Sequence, residues 1–346
     1  MNLKTIAKMS GVSTATVSNV INGNYQKVSR ETRERVEKII RENDYQPNAM
    51  ARSLAKKESR LIGLVVPYVG SGESFLVNPY YATMIAELER YVRNHDYYLI
   101  LRCVSDCRSM IPQLSSWKVD GAFFLGVMED EIEDIKKGLD APMVFIDTYT
   151  KKKDIVTVGI DDYRGGYLSA RYLIGKGHDK LALAIPDHHI PGVIQERYKG
   201  FVDACREVSL DFCEEDVYYT ECSFDYAVGV GQSIVFSNRS YTAIATMSDI
   251  AAMGISEGLR QCGLRLPEEM SVIGFDNLEQ GAYASVKLTT IAQDFRRKAE
   301  LAGERLIRMI DGEKDLAEEV RLPIRVVERQ SVVEYIERWR NVKSLT

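Results

Sequence analysis

The stretch GVSTATVSNVING at residues 11–23 offers the first recognisable chemistry in this sequence. Gly11 permits a tight turn, Ser13 suits the N-cap of a following helix, and Asn22-Gly23 ends it. Along that helix Thr14, Ala15, Thr16, Ser18 and Asn19 present short side chains, while Val17, Val20 and Ile21 fall on an apolar face. Such short groups can approach base edges and phosphates, as the second helix of a helix-turn-helix does in a major groove. Thr5, Ser13 and Asn22 complete the expected DNA-facing set. The competing reading is a solvated face on a helical cap.

Other chemistry is harder to find. Asp147, Asp161 and Asp276 end apolar runs and could converge as acid and base groups. Against an enzyme, the sequence has no phosphate loop of the GxxxxGKS type, no GxSxG elbow and no zinc spacing. His95, His178, His188 and His189 stand in no motif; the adjacent His188 and His189 should point in different directions from an exposed loop. Cys103, Cys107, Cys205, Cys213, Cys222 and Cys262 form neither a CxxC pair nor a Cys/His cluster, so reduced, mostly buried thiols are expected. The expectation is therefore no catalytic residue, no metal site and no cofactor.

The chain has 346 residues, enough for two or three folded units, with an ordinary 45% apolar and 27% charged content. Its net charge of −5 conceals an asymmetry. Residues 1–60 carry 12 Lys/Arg against 6 Asp/Glu, whereas the remainder carries 33 against 44. A cationic DNA-facing end on an acidic body fits that split. The opening MNLKTIAKMSGVS lacks the profile of a signal peptide, and no later stretch is apolar for the length of a membrane span. A cytoplasmic protein with no membrane partner is expected.

Helical periodicity and breakers divide residues 1–45 into three short helices, with Ile6, Ala7 and Met9 in the first stripe and Val36, Ile39 and Ile40 inward in the third. Arg33, Arg35, Lys38 and Arg41 face outward on the latter. Pro47 interrupts the pattern, and Asn48 caps the Ala-rich segment NAMARSLAKK, too short to be a stable helix alone. From Leu61 apolar runs alternate with amphipathic helices. Strands are expected at 61–67, 97–103, 120–126, 142–147, 180–185, 241–247, 270–276 and 288–291, and helices at about 80–94, 163–176, 192–208, 225–236, 249–262 and 294–311. The fold class is an all-α helix-turn-helix headpiece (1–46), a linker (47–60) and an α/β two-lobed body (61–346) of two doubly wound parallel sheets. Two successive doubly wound units fit this alternation, with a cleft at the strand carboxyl ends.

The sequence resembles the lactose-repressor (LacI/GalR) family along its whole length, in VSTATVSNVIN, YQPNAMARSLA, NPYY, RYKGF, TMSDIAAMG, VIGFDN and TTIAQDF. The resemblance implies that Thr14, Ala15 and Asn19 read bases in the major groove; Asn19 could contact adenine bidentately and Ala15 a thymine methyl. It also implies that the Ala-rich segment becomes a hinge helix in the minor groove beside its dimer mate, with Leu54 as the intercalating wedge. A homodimer on a pseudo-palindromic double-stranded operator follows from that reading.

By the same resemblance the body is like periplasmic sugar-binding proteins, with a small-molecule effector, a sugar or sugar derivative, between the lobes. The resemblance implies lobe 1 at about 61–161 with 291–323 and lobe 2 at about 162–290 with 324–340. Tyr80 and Tyr81 would supply aromatic faces, Asp147 and Asp276 would accept hydroxyl protons, Arg197 would donate a planar fork, Phe224 would cover a ring face, and Gln293 would join them at a crossover. Asp161 and Asp249 either edge the cleft or cap the following helices. Ser248 departs from the asparagine of many family members, which puts transfer of any one sugar in doubt. A sugar-binding transport component shares the body but not the basic headpiece. Neither the sign of the response nor the operator is fixed by sequence, and the tail VVEYIERWRNVKSLT lacks the heptads of a tetramerising coiled coil.

Overall fold

The computed structural model describes residues 2–45, 58–67, 75–314 and 316–335. Pro47, Asn48 and Leu54, and with them the expected hinge helix and wedge, lie outside the described residues. The chain separates into two compact units at residue 60.

The first unit is three helices: α1 (Leu3–Ser10), α2 (Thr14–Ile21) and α3 (Arg30–Glu42). Asn2 caps α1 by accepting from the Thr5 amide, Ser13 caps α2 by accepting from Thr16, and Ser29 caps α3 by accepting from Thr32. Gly11 adopts the left-handed φ of 66° that closes α1 and turns the chain into α2. Ile6, Ala7, Val17, Val20, Val36 and Tyr45 form the core. Met9, expected in that core, is instead 49% exposed, and Leu3 packs in its place. The outward charges of α3 are partly spent on one another, as in Arg33 to Glu37 at 2.7 Å.

In the second unit the elements run β1 (Leu61–Pro67), α4 (Pro79–Arg93), β2 (Tyr98–Val104), α5 (Ile111–Trp117), β3 (Gly121–Leu125), α6 (Ile132–Gly138), β4 (Met143–Ile146) and β5 (Val156–Ile160). The second lobe follows with α7 (Asp162–Gly175), β6 (Leu181–Ile185), α8 (Val193–Glu207), β7 (Val217–Tyr219), α9 (Phe224–Val235), β8 (Ala243–Thr246), α10 (Asp249–Gln261), β9 (Ser271–Asp276), α11 (Glu279–Tyr283) and β10 (Thr289–Ala292). Then come α12 (Phe295–Ile310), β11 (Glu318–Leu322) and β12 (Arg325–Val327). One sheet is ordered β11-β5-β4-β3-β1-β2 and the other β12-β10-β9-β8-β6-β7; among the described residues β12 alone pairs antiparallel.

Central strands such as β3 and β6 are buried along their whole length because helices cover both faces, which is why they read as unbroken apolar runs. The chain passes between lobes after β5, after β10 and after β11. Because β10 belongs wholly to the second sheet, the middle crossover follows Ala292, slightly beyond the expected position. Strands β5, β7, β11 and β12 are additions to the eight expected. All six cysteines are free; only Cys107 and Cys205 are buried, so the expected burial holds for two of them.

Candidate functional site

On α2 the side chains sort as the periodicity requires. Val17 and Val20 are buried, Ser13, Thr14 and Ala15 are exposed, and Thr16, Ser18 and Asn19 are half-buried. Some of the expected DNA-facing groups are engaged locally: Thr5 Oγ1 donates to Asn2, and Asn22 Nδ2 donates to the Ser18 carbonyl at 2.8 Å and to Ser18 Oγ. Asn22 thereby fixes the end of α2, while Thr14 and Ala15 stay exposed at its start. An exposed helix N-terminus with small polar side chains has the shape and chemistry to enter a major groove.

In the body, the crossovers and strand ends assemble a buried polar network. Asp147 follows β4, and both its oxygens accept from Lys298 Nζ at 2.8 and 2.9 Å; the Tyr80 hydroxyl donates to it as well. Lys298, on the first turns of α12 and fully buried, also donates to Gln293 Oε1 at 2.6 Å. Gln293 in turn donates to Asp276 Oδ1 at 2.6 Å. Arg197 donates through Nε to Asp162 Oδ1 at 2.8 Å and through Nη1 to the Met247 carbonyl at 2.7 Å, with its guanidinium 3.7 Å from the centre of the Phe275 ring. Tyr149 donates to the other Asp162 oxygen at 2.9 Å.

Burial of the carboxylates sets their electrostatics. It pushes the Asp276 carboxyl up to about 7, with Arg197 and the Gln293 hydrogen bond pulling the other way. Burial also raises Asp162 and, more strongly, Asp249, while the Tyr80 hydroxyl is raised by burial and by the neighbouring Asp147. Asp147, Asp276 and Asn277 have φ of 51°, 118° and 62°, conformations that cost a non-glycine residue free energy and collect at functional sites.

Tyr80, Asp147, Arg197, Asp276 and Gln293 therefore all belong to this network or contact it. Tyr81 packs edge-on to Tyr80 with ring centres 5.2 Å apart. Ser248 is buried and caps α10 by accepting from the Ala251 amide. Phe224 opens α9 with 39% of its surface exposed. Asp161 caps α7 by accepting from Arg164. Asp249 is neither at a cleft edge nor a cap: fully buried, it accepts from the Leu278 amide at 2.7 Å and Thr290 Oγ1 at 2.6 Å, and so ties β9 to β10.

Sequence reasoning missed Lys298, Asp162 and Tyr149. Lys298 was detectable, since it sits among Phe295, Ala299, Leu301 and Ala302 on the stripe of α12 that must be apolar to be buried. Asp162 gave no such sign beside Asp161. His189 is exposed as expected, but His188 is buried against Tyr198, and the two rings lie 4.3 Å apart beside Glu214 rather than pointing in different directions.

Residues 2–48 match the family described as bacterial regulatory proteins, lacI family, and residues 170–332 match the periplasmic binding protein-like domain. Over 338 residues the chain is 32% identical to the HTH-type transcriptional repressor PurR of Vibrio cholerae, across 95% of this chain and 97% of that protein. The chain belongs to the lacI family. It is a DNA-binding transcriptional repressor whose two-lobed body answers to a small effector. The ribose operon repressor of Haemophilus influenzae is also 32% identical, over 314 residues that cover 89% of this chain and 91% of that one. In structure, this lacI-family chain superposes with a TM-score of 0.85 on the lac repressor dimer bound to operator and the anti-inducer ONPF, at 22% identity over 96% of this chain and 99% of that chain. Among the described residues no helix is long and apolar enough to cross a membrane.

Proposed function

We propose that this repressor acts as a homodimer on a pseudo-palindromic operator of a carbohydrate-metabolism operon, and that its effector is a neutral, polyhydroxylated molecule of the sugar class held between the lobes. Thr14, Ala15 and Asn19 are the base-reading residues in this account, and Leu54 is the minor-groove wedge. Tyr80, Tyr81, Asp147, Arg197, Phe224, Ser248, Asp276 and Gln293 are its effector-site residues, with Lys298 and Asp162 setting the charge.

The observation that carries the choice of ligand is the pairing within the cleft. Arg197 and Lys298, which would otherwise attract an anion, already lie against Asp162 and Asp147. Among the described residues the Gln293 amide is the hydrogen-bonded neutral donor to the Asp276 carboxylate, which leaves a buried carboxylate to receive hydroxyl protons. A phosphate would have to compete with a carboxylate for either cation, whereas a polyol completes what is present. The name of the Haemophilus influenzae relative, a ribose operon repressor, agrees with that class.

Thermal-shift and calorimetric titration of the full chain with neutral pentoses and hexoses, the matching sugar phosphates, and purine bases tests the reading. A neutral sugar should raise the melting temperature and titrate to one site per chain. Binding of only a sugar phosphate or a purine would refute the ligand class. The DNA half is tested separately, by comparing operator retention of the full chain with that of a truncation beginning at Leu61, which should lose it.

A further inference from the structure

The loop after β6 and the turn before β7 bring together three side chains that the effector cleft does not use. His188 Nε2 lies 3.2 Å from Glu214 Oε1, and the His188 ring stacks on Tyr198 with centres 4.0 Å apart. The His189 ring is 4.3 Å from that of His188, tilted by 39°. One nitrogen from each histidine and one Glu214 oxygen all fall within 4.8 Å of one another. Glu214 comes from the 3-10 turn Glu214–Asp216 that leads into β7, so two separate segments converge here. The three line two adjoining hollows of about 240 and 250 Å³.

Second contacts hold this arrangement in place. The Tyr198 hydroxyl donates to Glu214 Oε2 at 3.0 Å, which occupies one carboxylate oxygen and leaves Oε1 toward the histidines. Asp187 Oδ1 accepts from the His189 amide at 3.0 Å and pins the turn that carries both imidazoles. Two imidazoles and a carboxylate, with a hydroxyl orienting the carboxylate from behind, are the donor set and outer support of three-ligand divalent sites. Ligand atoms about 2.1 Å from a tetrahedral ion lie about 3.4 Å apart. His189 and Glu214 are exposed, so rotation of their side chains would bring the ligand atoms to that spacing, with His188 fixed by its stacking.

We propose that His188, His189 and Glu214 form a site for a divalent transition-metal ion of the zinc class, with a fourth position open to water or an external ligand. Borderline ions of this kind are favoured because imidazole outnumbers carboxylate in the donor set. The spacing rules that exclude zinc motifs in the sequence miss the site because its third ligand belongs to another element.

Cobalt(II) titrated into the metal-stripped full chain reads both occupancy and ligand type. One equivalent should be taken up with the visible d–d absorption of nitrogen and oxygen ligands and without thiolate charge transfer, which separates this site from the partly exposed cysteines. Zinc should displace it. His189→Ala and Glu214→Gln should each weaken uptake about tenfold or more, and Tyr198→Phe by a smaller factor, with the metal-free melting temperature unchanged for the exposed His189. Absence of a stoichiometric uptake, a thiolate spectrum, or uptake indifferent to His189→Ala would each overturn the site and leave His188 and Glu214 as an ordinary hydrogen-bonded pair.

Discussion

Asp276 gives the cleft a pH response whose sign can be worked out. Its folded-state pKa of about 7 stands above the ordinary carboxylate range because burial penalises the charge. Stability from this group is therefore complete below the ordinary range and lost as pH rises through about 7. An effector that donates a hydroxyl to the carboxylate binds the ionised form, so its affinity should fall as pH drops below about 7. Calorimetry between pH 8 and 6 should show that slope, and Asp276→Asn should bind weakly without it. Lys298 makes a second case. Lys298→Met leaves the half-buried Asp147 carboxylate with the Tyr80 hydroxyl as its donor among the described residues, a loss of about 3–5 kcal/mol in chemical unfolding, and a second change, Asp147→Asn, should restore much of it. Lys298 could be read from its place on an apolar stripe, whereas Asp162 could not, because two consecutive aspartates at a crossover do not say which one caps the helix and which one pairs with an arginine 35 positions away.

Helices α7 and α8 show how elements set the site. A Cβ added at Gly166 would sit 1.8 Å from the Arg197 carbonyl, and one at Gly200 would sit 1.9 Å from the Tyr163 carbonyl. The two helices thus pack backbone against backbone, and Arg197 is held at its height above Phe275 by that closeness. Gly166→Ala should force α8 away, so effector affinity should drop at least tenfold while operator binding in the absence of effector persists; unaltered effector titration would remove this positioning argument. The sequence made the central strands and long helices plain, because full burial leaves unbroken apolar runs and half-burial leaves a helical stripe. The edges were not legible. EEVRL at β11 and RVV at β12 are polar or short because each has a neighbour on one side only, and β7 is a three-residue edge. VTVGI at β5 is fully buried, yet it follows a lysine-rich turn and has only three large apolar residues in five.

At the scale of the molecule, the split between a basic first sixty residues and an acidic body already separated the task of holding DNA from the task of sensing. Two compact units divided at residue 60 agree with that division. What the sequence could not convey is that the cleft's cations are internally matched, since the Asp147–Lys298 and Arg197–Asp162 pairs form only after the crossovers that follow β5 and β10 have been made. The central claim is that effector and operator act on one equilibrium, and thermodynamic linkage then requires each to change the affinity of the other by the same factor. The direct measurement is calorimetric titration of the neutral sugar found in the screen into the full chain, free and saturated with operator. The account predicts affinities that differ by about 5-fold to 150-fold, matched by an equal change in operator affinity at saturating sugar. Equal sugar affinities with and without operator would contradict it.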